Sequence, residues 1–294
     1  MPLLFSGTSH PSLAKSIAKR YKIALGKCEI KKFSCGETYV KLDERVRGEE
    51  CFILQTTSSR VNDCFMELYL LADALCRHDA SLVTAIIPHF SYARQDRRAA
   101  MGEPISAQLV SKLLVASGVT NVISFDLHSD QIEGFFSVPV DNLHCYHLFA
   151  EYFLKKRLSD PVIVVPDTGA AKLADRLTRL LKAPIAIFHK TRPRHQKAEH
   201  THLVGDVKGK TVILFDDMID TGGSICAAKD EVIARGALPE VYAAATHAVF
   251  SGPAYERLAA AHFKEIVVTD TIPLAERLPN LKVLSVVELL EKVL

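Results

Sequence analysis

None of the 14 glycines lies two residues from another, so the G-x-G core of the dinucleotide fingerprint is absent, and with it the usual route to NAD or FAD binding. No apolar run approaches the roughly 20 residues that cross a bilayer. The opening MPLLFSGTSHPS has no basic stretch followed by a long apolar one, so the expectation is a cytoplasmic chain without a membrane partner. Neither sign of charge dominates: 36 Lys+Arg stand against 34 Asp+Glu, a formal net charge of +2. That balance offers no general pull toward nucleic acid, and any bound anion must be held at a local site. The seven cysteines, at 28, 35, 51, 64, 76, 145 and 226, contain no C-x-x-C pair and are odd in number, which points to reduced thiols in a reducing compartment. GDVKGKT at 205–211 misses a Walker A loop, because three residues rather than four separate its glycines and a strand follows instead of preceding it. His189, His195, His200 and His202 cluster without a cysteine or carboxylate to complete a zinc spacing.

What the chain does have is an α/β rhythm, and at 48 % hydrophobic its 294 residues suffice for a sizeable core in one large or two ordinary domains. Short runs rich in Val, Ile and Leu end in turn residues and lead into stretches of helical spacing: LLFSGT before SLAKSIAKRY, CFILQTT before MELYLLADALCRH, LVTAIIPHF before a helix over 104–118. NVISFDLHS leads into a loop. The grammar restarts past Pro139 with PVIVVPDTG, TVILFDDMIDTGGS and EVYAAATHAVF, each followed by a helical segment, and closes on a final strand, EIVVTDTI. Most of these strands read as buried on both faces. This predicts an α/β protein of two similar domains, each a mostly parallel sheet flanked by helices, covering 1–145 and 146–294. ISFDLH and ILFDDM read as corresponding strands, delivering acidic or imidazole groups at carboxyl ends, where open parallel sheets place ligands.

The strongest local signal is residues 212–224, where an apolar strand empties into Asp216 and Asp217, then Asp220, Thr221, Gly222, Gly223 and Ser224, then a helix. Adjacent carboxylates accept hydrogen bonds from vicinal sugar hydroxyls, and backbone amides at a helix N-terminus suit a phosphate dianion. A bland alternative, an acidic N-cap on an ordinary turn, accounts for Asp220 and Ser224 but does not require the Asp216–Asp217 pair. YARQDRR at 92–98 gathers Arg94, Gln95, Asp96, Arg97 and Arg98 in one loop after a strand, which is either a phosphate-binding fork or a solvated basic turn. Taken singly, His128 reads as a buried histidine that satisfies a carbonyl, and the KTRPR segment at 190–194 as a solvated basic loop.

Residues 212–224 resemble the type I phosphoribosyltransferase motif in the version found in the ribose-phosphate pyrophosphokinase family. The likeness continues through FSCGE (33–37), YARQDRR (92–98), FDLHSDQIEGFF (125–136), VPVDN (138–142), PDTG (166–169), KTRPR (190–194), ATHAVFSG (245–252) and VTDTIP (268–273). The resemblance implies transfer of the terminal diphosphate of ATP to C1 of ribose 5-phosphate, with AMP released. Phe33, Cys35, Gly36, Glu37 and the 94–97 stretch would bind ATP. Asp216, Asp217 and 220–224, with Arg192, would bind ribose 5-phosphate, and Lys190 and Arg192 would act in catalysis from an arm that closes over the diphosphate. It further implies Mg²⁺ at His128 and Asp167, placed as corresponding positions of the two halves, and a homo-oligomer built from dimers, as large as a hexamer, with ATP sites shared between subunits. A phosphoribosyltransferase and a non-catalytic associated subunit are the alternatives; the 92–98 and 190–194 motifs oppose the first, and retention of His128, Asp167, Lys190 and Arg192 opposes the second. Three departures bear on donor choice and control: Cys35 stands where FSDGE has Asp, the arm continues as HQKAEHTHLVGDV, and 99–103 (AAMGE) lacks the basic and hydroxyl residues that bind regulatory phosphate or ADP in relatives.

Overall fold

A computed structural model describes residues 2–166, 169–191 and 200–294. The chain forms two compact units, one of residues 1–144, 271–273 and 287–294, the other of 145–270 and 274–286.

In the first unit β1 (Leu3–Ser6), α1 (Pro11–Tyr21), β2 (Ala24–Leu25), a hairpin of β3 (Cys28–Lys32) and β4 (Thr38–Leu42), β5 (Glu50–Leu54), α2 (Val61–Arg77), β6 (Leu82–Ile87), α3 (Ser106–Ala116), β7 (Asn121–Phe125) and β8 (Val140–Leu143) follow in order. The sheet runs β2-β1-β5-β6-β7-β8, and every pair in it is parallel. α1 shows why these segments take their forms. Leu13, Ala14, Ile17 and Ala18 recur on one buried face, Pro11 pre-sets the first turn, and the His10 imidazole accepts from the Leu13 amide at 3.3 Å. Lys22, in a left-handed conformation, ends it. In β5, Cys51, Phe52, Ile53 and Leu54 are all buried, as expected of a strand covered on both faces. Cys51 and Ile53, on one face of the strand, join Phe65, Leu68 and Leu71 of α2 in one core.

The second unit begins with α4 (Tyr146–Lys156) and continues through β9 (Pro161–Val165), α5 (Ala171–Leu181), β10 (Ile185–Thr191), β11 (His200–Val204), β12 (Thr211–Ile219), α6 (Gly223–Ala234), β13 (Tyr242–Ala248), α7 (Ala254–Ala260), β14 (Glu265–Thr269) and β15 (Leu281–Leu284). Its sheet runs β11-β10-β9-β12-β13-β14-β15; β11 is antiparallel to β10 and all other pairs are parallel. Set aside β11, and both units thread six parallel strands in one spatial order: second, first, third, fourth, fifth, sixth. Each unit also carries an antiparallel addition between its second and third strands, β3–β4 in one and β11 in the other.

This common threading corrects two readings from sequence. ISFDLH lies in β7, the fifth strand of its unit, whereas ILFDDM lies in β12, the third, so β7 matches β14 and β12 matches β5. His128 follows a fifth strand while Asp167 follows a first, β9; the two are not in corresponding positions. Local composition at strand ends is similar for any ligand-bearing strand, and only the pairing order distinguishes them. β15 is a further strand beyond EIVVTDTI, where sequence reading ended the series; its half-exposed LKVL has no buried alternation to announce it.

In both units the neighbouring first and third strands connect in opposite directions, which opens a crevice at their carboxyl ends. The first unit fills its own. Glu67, 2 % exposed, accepts from the Thr8 amide at 3.0 Å, the Thr8 hydroxyl and the Gln55 amide at 2.7 Å, while the Gln55 oxygen accepts from Ser9. Space there is exhausted: a Cβ at Gly7 would lie 2.1 Å from Gln55 Oε1. Gly7→Ala must therefore displace a fully buried, hydrogen-bonded side chain, costing about 1–3 kcal/mol as overpacking against an unfolded-state gain of about 0.4–1 kcal/mol. Urea unfolding followed by circular dichroism should show the transition at lower denaturant, and an unchanged midpoint would contradict this packing.

Candidate active site

In the second unit, the crevice between the first and third strands receives the loop 216–224. β12 extends further than its apolar run suggests: Asp216 and Asp217 lie inside the strand, with Asp216 registered against Ala245 and Met218 against His247. The strand does not empty into these carboxylates; it carries them, half-buried, on its last turn of pleat. The Asp217 amide donates to Asp216 Oδ1 at 2.9 Å, which fixes the first carboxylate against its own backbone. Gly222 occupies the N-cap of α6 with φ of 75°, so neither Asp220 nor Ser224 serves as the cap. The acidic N-cap explanation of this segment therefore falls away. The Asp220 carboxylate instead meets the Ser251 hydroxyl. Thr221 and Ser224 are exposed at the start of α6, whose first amides have no partner within the helix.

The neighbouring loop after β13, within ATHAVFSG, carries a role that its sequence alone does not indicate. It braces 219–221. Phe250 and Ser251 amides donate to the carbonyls of Ile219 and Asp220, both at 3.1 Å, and Arg257 Nη1 donates to the Thr221 carbonyl at 3.1 Å. A Ser-Gly pair between a strand and a helix is the signal that marks this loop in the sequence.

In the first unit, the 92–98 loop follows β6. Tyr92 is held at φ of 67° with its hydroxyl donating to Asn62 at 2.6 Å, and its carbonyl accepts from the Gln95 amide. Arg94, Gln95 and Arg97 are exposed. The Gln95 side-chain oxygen is already engaged, accepting from Ser106 at 2.6 Å in the first turn of α3. Asp96 accepts from the Ser129 hydroxyl at 2.7 Å, which ties this loop to the residue after His128. The sequence separated these two motifs by about thirty residues; the fold brings them together.

His128 itself is exposed, not the buried carbonyl partner that a single histidine suggests. The turn that presents it is fixed by Asp126, whose side chain is 1 % exposed and whose backbone takes φ of 36°. Asp126 Oδ1 accepts from His144 Nδ1 at 3.0 Å, its amide donates to the Leu143 carbonyl at 3.0 Å, and the Leu127 amide donates to Asn142 Oδ1 at 3.0 Å. Aspartate tolerates this left-handed conformation better than most residues, and three contacts with β8 and the residue after it hold it there.

FSCGE forms the tip of the β3–β4 hairpin. Phe33 donates its amide to Glu37 and accepts from Gly36, whose φ of 95° closes the turn. Phe33, Cys35, Gly36 and Glu37 are all exposed; Phe33 packs edge-on to Tyr39 at 5.6 Å, and Lys32 bridges to Asp63 of α2 at 2.6 Å. Burial pushes up the thiols of Cys28, Cys51, Cys64, Cys76 and Cys226, Cys51 to about 11. Lys190 lies within β10 rather than beyond it, paired with Thr201 of β11. Arg192 and Asp167 lie outside the described residues. Among the described residues, no group of three or more His, Cys, Asp or Glu side chains converges as a metal cage, and no helix is long and apolar enough to cross a membrane.

Comparison with known proteins accords with this geometry. The family model described as the N-terminal domain of ribose phosphate pyrophosphokinase matches residues 2–118, and that described as the phosphoribosyl synthetase-associated domain matches 190–292. Ribose-phosphate pyrophosphokinases of Fusobacterium nucleatum and Bacillus subtilis are each 47 % identical, over 96 % and 98 % of this chain and 90 % and 91 % of their own lengths. The crystal structure of phosphoribosylpyrophosphate synthetase from Mycobacterium smegmatis superposes with a TM-score of 0.93 at 43 % identity, covering 98 % of this chain and 96 % of that one. With its two repeated sheets, its acidic loop at the second crevice and these near full-length relatives, the chain belongs to the ribose-phosphate pyrophosphokinase family, and its activity is that family's ribose-phosphate diphosphotransfer.

Proposed function

We propose that the halves divide the reaction, with 1–145 supplying the donor site and 146–294 the acceptor site. The observation that carries this reading is the contrast between two equivalent crevices. The first is packed by Gln55 and Glu67, and the second carries Asp216, Asp217 and the start of α6. Ribose 5-phosphate suits the second: the two carboxylates accept from its hydroxyls, and the backbone of Thr221, Gly222, Gly223 and Ser224 meets its 5-phosphate.

The donor is ATP. Arg94 and Arg97 offer exposed guanidinium groups to phosphate oxygens, while Asp96 holds their loop beside Ser129 and His128. Gln95 contributes by stabilising the loop through Ser106 as much as by touching nucleotide. The exposed tip Phe33, Cys35, Gly36 and Glu37 is suited to reach the donor of another copy in a homo-oligomer, because the tip stands clear of its own core.

Mg²⁺ fits the donor set named from sequence. One imidazole and one carboxylate, His128 and Asp167, suit an ion that keeps most of its shell as water and phosphate oxygen, and the exposed His128 stands next to the donor loop. When bound, the ion screens charge on the diphosphate. The protein's own part is positional. The 216–224 loop aims the anomeric hydroxyl, the 94–97 loop orients the β-phosphorus for in-line attack, and AMP leaves. Lys190 and Arg192 offset the charge that shifts onto the leaving oxygen, with Arg192 also meeting the acceptor.

Purified protein given ATP, Mg²⁺ and ribose 5-phosphate should form AMP and phosphoribosyl pyrophosphate in equal amounts; stoichiometric ADP would overturn the reading. The site roles separate kinetically. Asp216→Asn and Ser224→Ala should raise KM for ribose 5-phosphate more than KM for ATP. Lys190→Ala and Arg192→Ala should lower kcat by about 10²–10³, the usual loss for one preorganised charge contact, with little change in either KM. A tenfold rise in KM at unchanged kcat for the arm variants would make them ground-state binders instead.

A further inference from the structure

We propose that Arg257, on α7, is a positioning residue for the acceptor loop, holding its backbone and placing a guanidinium where the 5-phosphate arrives. This rests on the assignment of 216–224 to ribose 5-phosphate.

Three successive carbonyls of the loop are taken from one side. Ile219, Asp220 and Thr221 accept from the Phe250 amide, the Ser251 amide and Arg257 Nη1, each at 3.1 Å. In a trans peptide the carbonyl of one residue and the amide of the next point in opposite directions. Fixing these carbonyls toward the β13–α7 segment therefore turns the amides of Asp220, Thr221 and Gly222 the other way, away from their braces. Two of the braces are backbone groups, which any sequence could supply. The third is a side chain, and it holds the residue just before the Gly222 cap.

The guanidinium reaches further than that one bond. A Cβ built on Gly223 would lie 3.4 Å from the same Arg257 Nη1, an ordinary contact distance, so this nitrogen stands beside 223 as well as 221 at the entrance of α6. The α7 backbone anchors it, with the Arg257 amide donating to Pro253 at 3.0 Å and its carbonyl accepting from Cys226 Sγ of α6.

Electrostatics point to an anion there. The N-terminus of α6 carries the positive end of the helix dipole, where a cation is unfavourable. Arg257 makes no ion pair among the described residues; its side chain donates to a neutral carbonyl. A phosphate dianion at the first turn of α6 offsets both the dipole and the guanidinium, and the acceptor brings such a group. Arg257 thus acts on the acceptor through the loop and by charge, with no part in the transfer itself.

The test is steady-state kinetics of full-length Arg257→Ala and Arg257→Lys with ATP, Mg²⁺ and ribose 5-phosphate, alongside Ser224→Ala and thermal melts of each. Arg257→Ala should raise KM for ribose 5-phosphate by about tenfold, the scale of one hydrogen bond to a charged group, with kcat and KM for ATP within about twofold and the melt unchanged. Arg257→Lys, which keeps the charge without the fork, should recover part of that loss. An acceptor KM within twofold of the parent in Arg257→Ala, or a parallel rise in both KM values with a lowered melt, would overturn the proposal. If Ser224→Ala weakens ATP and spares the acceptor, the loop assignment itself fails; if Ser224→Ala weakens the acceptor while Arg257→Ala does not, only the role of Arg257 fails.

Discussion

A parallel sheet whose first and third strands are neighbours must leave a crevice where their connections part, and something has to occupy it. The amides at the start of the following helix point into that space with no partner in the helix. This protein meets the constraint twice with different solutions. After β1 and β5, the Thr8 amide finds the carboxylate of Glu67, and Gln55 fills the remaining volume. After β12, the space is bounded by half-buried carboxylates and the exposed start of α6, and its carbonyls are tied back by the β13–α7 segment. A buried carboxylate held by three donors cannot leave to admit a second anion without losing hydrogen bonds at low dielectric. One crevice is thereby committed to structure and the other is available for chemistry.

The same logic reaches the side we propose for the donor. His128 sits three residues past β7 on a turn that departs from ordinary backbone at Asp126, and that turn is held by His144, Leu143 and Asn142. Asp96 then joins the arginine loop to it through Ser129. A loop rich in like charge would otherwise spread in solvent; one carboxylate–hydroxyl bond and the Gln95–Ser106 bond anchor it at two points. Both anchors use uncharged donors, the hydroxyls of Ser129 and Ser106.

The α/β alternation, the helix faces and the acidic loop at 216–224 were legible because each has a local cause: period, capping residue, or a run of carboxylates and glycines after an apolar strand. Pairing order was not. ISFDLH and ILFDDM look alike because strand ends that carry polar groups share a composition, and only hydrogen bonding between distant strands shows that β7 answers to β14 and β12 to β5. The extent of β12 was hidden because carboxylates are poor strand formers, yet pairing with β13 carries the strand through Asp216 and Asp217. Arg257 was invisible for a related reason: on its helix it reads as an exposed basic residue, and its meaning lies in a carbonyl 36 positions earlier.

The claim that only the second crevice takes the acceptor is tested most directly by hydrogen–deuterium exchange of the purified protein, held with Mg²⁺ and a non-transferable ATP analogue, before and after adding ribose 5-phosphate. New protection should appear in peptides covering 216–224 and 250–257, with that at the 190–194 arm accompanying it and none at 7–10 or 55–60. Protection gained at 7–10 and 55–60, around Glu67 and Gln55, with none at 216–224, would contradict the account.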